Sequence, residues 1–327
     1  MKRLLVLAVA ATAILANAQT FPGTKPVTFV VPFAAGGPTD RVARDLAEAM
    51  RKAIPGSNFV VENVNGAGGT IGAAKVARAA PDGHTLLLHH IGMAAAPGLY
   101  RKLPYKVLED FEFLGMINEV PMTIIGKPQL PANNYRDLEN YIKANSGKLN
   151  IAHAGLGSAS HLCGLMWQAA INAKEAMTTI PFSGTAPAMN ALVGGQVDMM
   201  CDQTTNTTGQ IESGRVKAYA VTTTKPLSGN KLLKDYPTLQ EMGLKGFDLT
   251  IWHGLYAPKG TPPAVLAQLN AGLKAALKDA DFLKKEDALG AVVVTDRRVE
   301  PAAHKAFVSA EINKLKPVID AAGKYAD

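Results

Sequence analysis

The sequence predicts an α/β protein in two domains, each a mostly parallel sheet flanked by helices. Three observations carry that prediction. Strand-like and helix-like segments alternate from end to end, as parallel βαβ architecture requires. Small, mostly uncharged turns recur between an apolar run and an amphipathic one. The 327 residues, less an 18-residue leader, leave 309, which exceeds one typical core.

The leader is read from the first residues. Lys2 and Arg3 form a short basic region, Leu4 to Leu15 carries no charge, and Ala16-Asn17-Ala18 supplies the small residues a signal peptidase reads. Cleavage after Ala18 and a periplasmic location are the expectation. The run is too short to span a bilayer, which takes about 20 residues. The net charge is +7, or +5 without Lys2 and Arg3. The basic residues are scattered, so no stripe for nucleic acid is formed. A mild excess of positive charge suits the steering of small anions.

In the first domain, "VTFVVPF" reads as a buried strand. The segment after it places Val42, Leu46, Met50 and Ile54 four residues apart, with Arg41, Arg44, Asp45, Glu48, Arg51 and Lys52 on other faces, which is an amphipathic helix. "NFVVEN" and "HTLLLHH" are the next strands, with the helix "TIGAAKVARAA" between them. A second set of units starts near Val120: "VPMTIIG", "LNIAHA", "TTIPF", "VDMMCD" and "VKAYAVTT" as strands, with helices after the first four. The tail reads as three helices. The long apolar stretches "FEFLGMINEVPMTIIG" and "FDLTIWHGLYAP" are expected to cross between the domains. That places residues 19–120 plus 250–327 in the first and 121–249 in the second.

Four strand-to-helix turns carry the functional signal: "PFAAGGPTD", "NGAGGT", "GLGSASH" and "FSGTAPA". The first turn of a helix has free N–H groups and about half a positive charge. Glycine lets a ligand approach that backbone, and Ser or Thr adds hydroxyl donors. Several such ends facing one cleft bind a carboxylate or phosphate without an arginine. Asp40 is the odd member, since it repels an anion. It stabilises its own helix end or takes a hydroxyl or amino group of the ligand.

Enzyme signatures are weaker. Ser158 stands three residues before His161, but a nucleophile elbow needs G-x-S-x-G. No phosphate-binding G-x-x-x-x-G-K-[ST] occurs, and the histidines lack metal-ligand spacing. No cofactor is expected. His89 and His90 should point to opposite faces of a strand, so at most one, His90, lines a cleft. Trp252 on the returning strand is expected to wall the cleft. Cys163 and Cys201 pair in an oxidising compartment, or remain two buried thiols.

With these turns in place, the chain resembles the periplasmic solute receptors of tripartite tricarboxylate transporters, the TctC or Bug family. The resemblance rests on "VVPFAAGGPTD", "ENVNGAGGTIGAAKVARAAPDGHTLLL", "GLGSASHLCG", "PFSGTAPAMNALVGGQVDMMCD" and "WHGLYAPKGTP". It implies a two-domain periplasmic-binding-protein fold that closes on a small organic carboxylate and delivers it to membrane subunits of the TctA and TctB type. It implies a monomer and no catalysis. Carried onto this chain, the ligand contacts fall on the first loop (Phe33, Ala34, Gly36, Gly37, Thr39, Asp40), on Gly69 and His90, and on the second domain (Gly157, Ser158, Ala159, His161, Ser183, Gly184, Thr185), with Asp202 nearby. The family often has phenylalanine where Cys201 stands, so Cys201 with Cys163 looks like a paired substitution forming a disulfide. Two other classes stay open at this stage: a secreted hydrolase using Ser158 and His161, and a sensory receptor feeding a signalling kinase.

Overall fold

The computed structural model describes residues 21–173 and 176–322. The leader and its cleavage site lie outside the described residues. Among these, no helix is long and apolar enough to cross a membrane.

The strands fall into two groups, called lobes below. In the first lobe β1 (Val27–Val31) pairs in parallel with β2 (Phe59–Asn63) and β3 (Thr85–His90). The helices α1 (Pro38–Ala53) and α2 (Thr70–Ala77) connect them, and α3 (Gly92–Leu99) follows. β4 (Phe111–Gly126) then leaves the first lobe and enters the second. The second lobe holds α4 (Tyr135–Ala144), β5 (Leu149–His153), α5 (Ala159–Ala170), β6 (Met177–Pro181), α6 (Thr185–Val193), β7 (Met199–Gln203), α7 (Thr204–Glu212) and β8 (Lys217–Val221). There β5 pairs in parallel with β6 and β7. The chain returns through β9 (Thr250–Pro258) and finishes with α8 (Pro263–Ala276), α9 (Ala280–Ala288), the short β10 (Val292–Val293) and α10 (Pro301–Ala322).

β4 is the shared element. Its residues Phe111 to Pro121 pair antiparallel with β9, and Met122 to Gly126 pair antiparallel with β7 and β8. Every position of β4 except Glu112 and Glu119 is buried, which is why the segment is predominantly apolar, with few polar residues among its sixteen. α1 forms because Val42, Leu46 and Met50 share one buried face and Pro38 occupies the first helical position, where its missing N–H costs nothing. The alternation legible in the sequence did not reveal α3. Its Gly92, Pro97 and Gly98 are poor helix formers, and packing on α10, where a Cβ at Gly98 would lie 3.1 Å from Ile319, overrides propensity.

The second lobe is tied internally. Cys163 of α5 and Cys201 of β7 form a disulfide across a sequence separation of 38 residues. Beside it Trp167, fully buried, donates from Nε1 to the Tyr135 hydroxyl at 2.8 Å. Loop closure of that length removes about 4 kcal/mol of denatured-state entropy. Replacing both cysteines by alanine should therefore lower the urea-unfolding free energy by about 2–4 kcal/mol. A denaturing thiol titration of the oxidised protein should find no free thiol.

Candidate functional site

The site is built on the loop that follows β1. Gly36 has φ +80°, a conformation few side chains adopt, and it turns the chain back toward α1. Asp40 holds that turn. Its Oδ2 accepts the Gly36 N–H at 2.9 Å and Arg44 Nε at 2.9 Å. Its Oδ1 accepts Arg44 Nη2 at 3.0 Å and Asn63 Nδ2 at 3.0 Å. Burial raises the Asp40 carboxyl, but the bonds from Arg44, Gly36 and Asn63 outweigh burial and hold it below the usual carboxylate value. Of the two roles the sequence left open, this arrangement is the structural one. The Gly36 N–H is committed to Asp40 as well.

Around that loop, four helix N-termini meet at one small enclosed cavity. Its lining includes Phe33, Gly37, Pro38 and Thr39 at the start of α1, and Ser158, Ala159 and Ser160 at the start of α5. Thr185 opens α6, Gln203 precedes α7, and His90 and Ala154 complete it. None of these residues carries a fixed charge. His90 is neutral, because burial lowers it to about 3; its Nδ1 accepts the Gly92 N–H at 2.9 Å and its ring stacks on Phe33 at 4.6 Å.

The other predicted residues stand behind this lining or between the lobes. The Ala34 N–H donates to Ser183 O at 3.2 Å, and a Cβ at Gly184 would sit 2.9 Å from Ala34. Gly69 packs against the His89 and Phe33 rings. The Gly157 N–H donates to His161 Nδ1 at 3.3 Å, and the His161 ring lies 4.8 Å from that of His153. The Ser158 hydroxyl accepts the His161 backbone N–H at 3.2 Å, so it caps α5. Asp202 is fully buried. It accepts Asn206 Nδ2 at 2.5 Å and the Gln203 N–H at 2.9 Å, and burial raises it to about 7 despite those bonds.

Two expectations need correction. The "NGAGGT" turn does not reach the cavity. It meets the second lobe instead, with Tyr100 Oη 2.6 Å from Ala67 O and 2.8 Å from Leu156 O. α7 takes its place, with buried Gln203 Oε1, Thr204 Oγ1 and Thr205 Oγ1 lacking hydrogen-bond partners among the described residues. Thr185 Oγ1 likewise stands near Asp202 without reaching hydrogen-bond geometry. Trp252 faces away from the cleft; its Nε1 donates to Glu311 at 3.2 Å and its ring packs on Phe307 at 5.3 Å, both on α10. His253, its neighbour on β9, takes the cleft side, with Nε2 3.3 Å from Thr39 Oγ1. Of the two β3 histidines, His90 lines the cavity and His89 is not among its lining residues. β3 ends there, and the rings lie 4.8 Å apart, both against Phe33.

Two lobes meeting at a cavity lined by neutral helix ends define a solute receptor of the periplasmic-binding-protein type. The comparisons agree. The sequence model described as "Tripartite tricarboxylate transporter family receptor" (TctC) matches residues 42–324, and the chain belongs to that family. Among solved structures, the periplasmic binding protein BugD is 50% identical, covering 92% of this chain and 99% of its own, with a TM-score of 0.88. MatC from Rhodopseudomonas palustris, with bound malate, is 40% identical over 90% of this chain and 98% of its own, with a TM-score of 0.84. R. palustris Rpa4515 with adipate is 30% identical over 94% of this chain and all of its own, with a TM-score of 0.86.

The interlobe contact gives one prediction. A Cβ built at Gly68 of the first lobe would lie 1.7 Å from Leu156 O of the second, at a φ of +61°. Gly68→Ala should hold the lobes apart, raise the radius of gyration in small-angle scattering, and cost about 1 kcal/mol or more of stability. An unchanged scattering profile would show that the lobes do not rest this close.

Asp202 gives a second. Its folded-state value of about 7 exceeds the ordinary 3.8, so the native state holds the proton more tightly. Stability from this group is full below about pH 4 and is lost as pH rises toward 7. Asp202→Asn should shrink the fall in Tm between pH 5 and pH 8 relative to the native protein.

Proposed function

We propose that the protein captures a small organic carboxylate between its lobes in the periplasm and delivers it to membrane subunits of a tripartite tricarboxylate-type transporter. On this reading, residues 19–120 plus 250–327 and 121–249 are the two moving domains, with β4 and β9 as the connection. The observation that carries the reading is the convergence of four helix N-termini on a cavity without a charged side chain. Each end contributes free N–H groups and about half a positive charge, which suits an anion of one or two charges. The partnerless Thr185 Oγ1 and Gln203 Oε1 at the cavity supply further polar contacts in the second domain. The malate and adipate seen in MatC and Rpa4515 place C4 and C6 diacids among the ligands to test first.

Binding requires the lobes to part. The cavity holds about 10 Å³, room for one water-sized sphere, whereas pockets for small molecules run to about 300–1,000 Å³. A carboxylate therefore enters an opened cleft, and closure brings the α1 and α6 ends together around it.

A thermal-shift panel of mono-, di- and tricarboxylates tests the reading. A cognate acid at 100 times its Kd stabilises by about 2.7 kcal/mol, a rise of several degrees in Tm. A flat panel, with calorimetry also silent, would sink the carboxylate assignment. Turnover of ester substrates would move the protein to another class.

A further inference from the structure

We propose that a buried relay, Glu286–Asn118–His253–Thr39, fixes the Thr39 hydroxyl as a hydrogen-bond acceptor toward the cleft. On that basis it selects carboxylates bearing a hydroxyl or amino group next to the carboxylate carbon. The proposal rests on the carboxylate reading of the same cavity and adds a specificity element to it.

Four elements supply the relay: α9, β4, β9 and α1. Glu286 of α9 is fully buried, and its Oε2 accepts Asn118 Nδ2 at 2.5 Å. With the amide nitrogen spent there, Asn118 turns its Oδ1 to His253 Nδ1 at 2.8 Å. An amide oxygen only accepts, so the imidazole proton sits on Nδ1. His253 is fully buried, and burial first, then neighbouring His90, keeps it well below its usual pKa and neutral. Its Nε2 is then bare and can only accept. The atom facing it at 3.3 Å is Thr39 Oγ1. The Thr39 proton is therefore directed at His253, and the hydroxyl offers lone pairs to the cavity it lines.

The consequence reverses the simple expectation that Thr39 helps bind the carboxylate as a donor. Thr39 lies in the first turn of α1, where the backbone N–H groups are donors and the side chain is now an acceptor. A ligand that places a donor one carbon from its carboxylate satisfies both. A plain diacid leaves the Thr39 oxygen facing apolar carbon, or keeps a water there. The opposite polarity needs a protonated Glu286 and an overturned Asn118 amide, which would put the proton on His253 Nε2 and free the Thr39 proton for the cleft.

The test has two arms, both at pH 8, where Glu286, raised to about 7 by burial, is ionised. In the first, long-range proton–nitrogen NMR of histidine-labelled protein reads the His253 tautomer, with the signal assigned by its loss in His253→Asn. A proton on Nδ1 is expected, and a proton on Nε2 overturns the relay. In the second, calorimetry compares succinate, malate and aspartate on the native protein and on Thr39→Val. The better of malate and aspartate should bind at least about tenfold tighter than succinate, and Thr39→Val should cost that acid at least about tenfold more affinity than it costs succinate. Equal binding of all three by the native protein, or a preference that survives Thr39→Val, overturns the selectivity. If no acid binds, the carboxylate reading and the selectivity built on it both fail, while the tautomer still decides the relay.

Discussion

Everything in the site depends on one strand being shared. β4 spends its first eleven residues in the first lobe's sheet and its last five in the second's, so the two lobes are ordered by a single row of backbone hydrogen bonds. The change of partners falls at Pro121 and Met122, and β9 begins opposite it at Thr250. Pro121 lacks an N–H and so cannot donate to a ladder at that point. Both sheets direct the ends of β1, β3, β5 and β7 at the same gap, and each helix that follows β1, β5, β6 and β7 brings its N-terminus there. The convergence of dipoles is therefore a property of topology, and the side chains only refine it.

That origin explains why the cavity is free of fixed charge. A buried lysine or arginine in a cleft that can shut would face several kcal/mol of desolvation whenever no anion sat opposite it. A helix dipole adds no net charge, only a partial one at its end, and holds its N–H groups in place regardless, so the lobes can meet. The carboxylate in the loop is neutralised locally: Arg44 pairs with Asp40, and both work on the loop's shape. The histidines are held neutral by burial. Aromatic contact among Phe33, His89 and His90 supplies a rigid wall at the base.

The parts of this site that were legible in the sequence share one feature: local glycine or serine chemistry at a helix start. Gly36-Gly37-Pro38, the Ser158 cap and Gly184-Thr185 announce themselves within a few residues. The α7 turn, "CDQTTN", has no glycine, and its role comes from where β7 ends. His253, Asn118 and Glu286 lie more than 30 residues apart from one another in sequence, and only the pairing of β9 with β4 and the docking of α9 assemble them. Trp252 and His253 show the same limit from the other side. Alternation says that neighbours on a strand face opposite ways, but which face meets the cleft is fixed by what packs on the other, here α10. The boundaries of β4, by contrast, could be read directly, because a strand buried on both faces in two sheets leaves a long, mostly apolar segment.

The balance of forces at closure follows from the same contacts. Without a ligand between them the lobes touch through the Ala34–Ser183 bond, the Tyr100 hydroxyl shared between Ala67 and Leu156, and the fit of Gly184 on Ala34 and Gly155 against Gly68. Each such hydrogen bond is worth only about 0.5–1.5 kcal/mol net, and the Tyr100 hydroxyl has one proton for two carbonyls. A carboxylate held as proposed gains charge-assisted bonds of about 1.5–3 kcal/mol each from both lobes. Two or three of those outweigh the direct hydrogen bonds between the lobes, so on the proposed reading the ligand carries most of the polar interaction that holds the cleft shut. A receptor that must release its cargo needs that order of magnitudes: the direct contacts guide closure, and the small free energy they add leaves opening cheap once the cargo is drawn away.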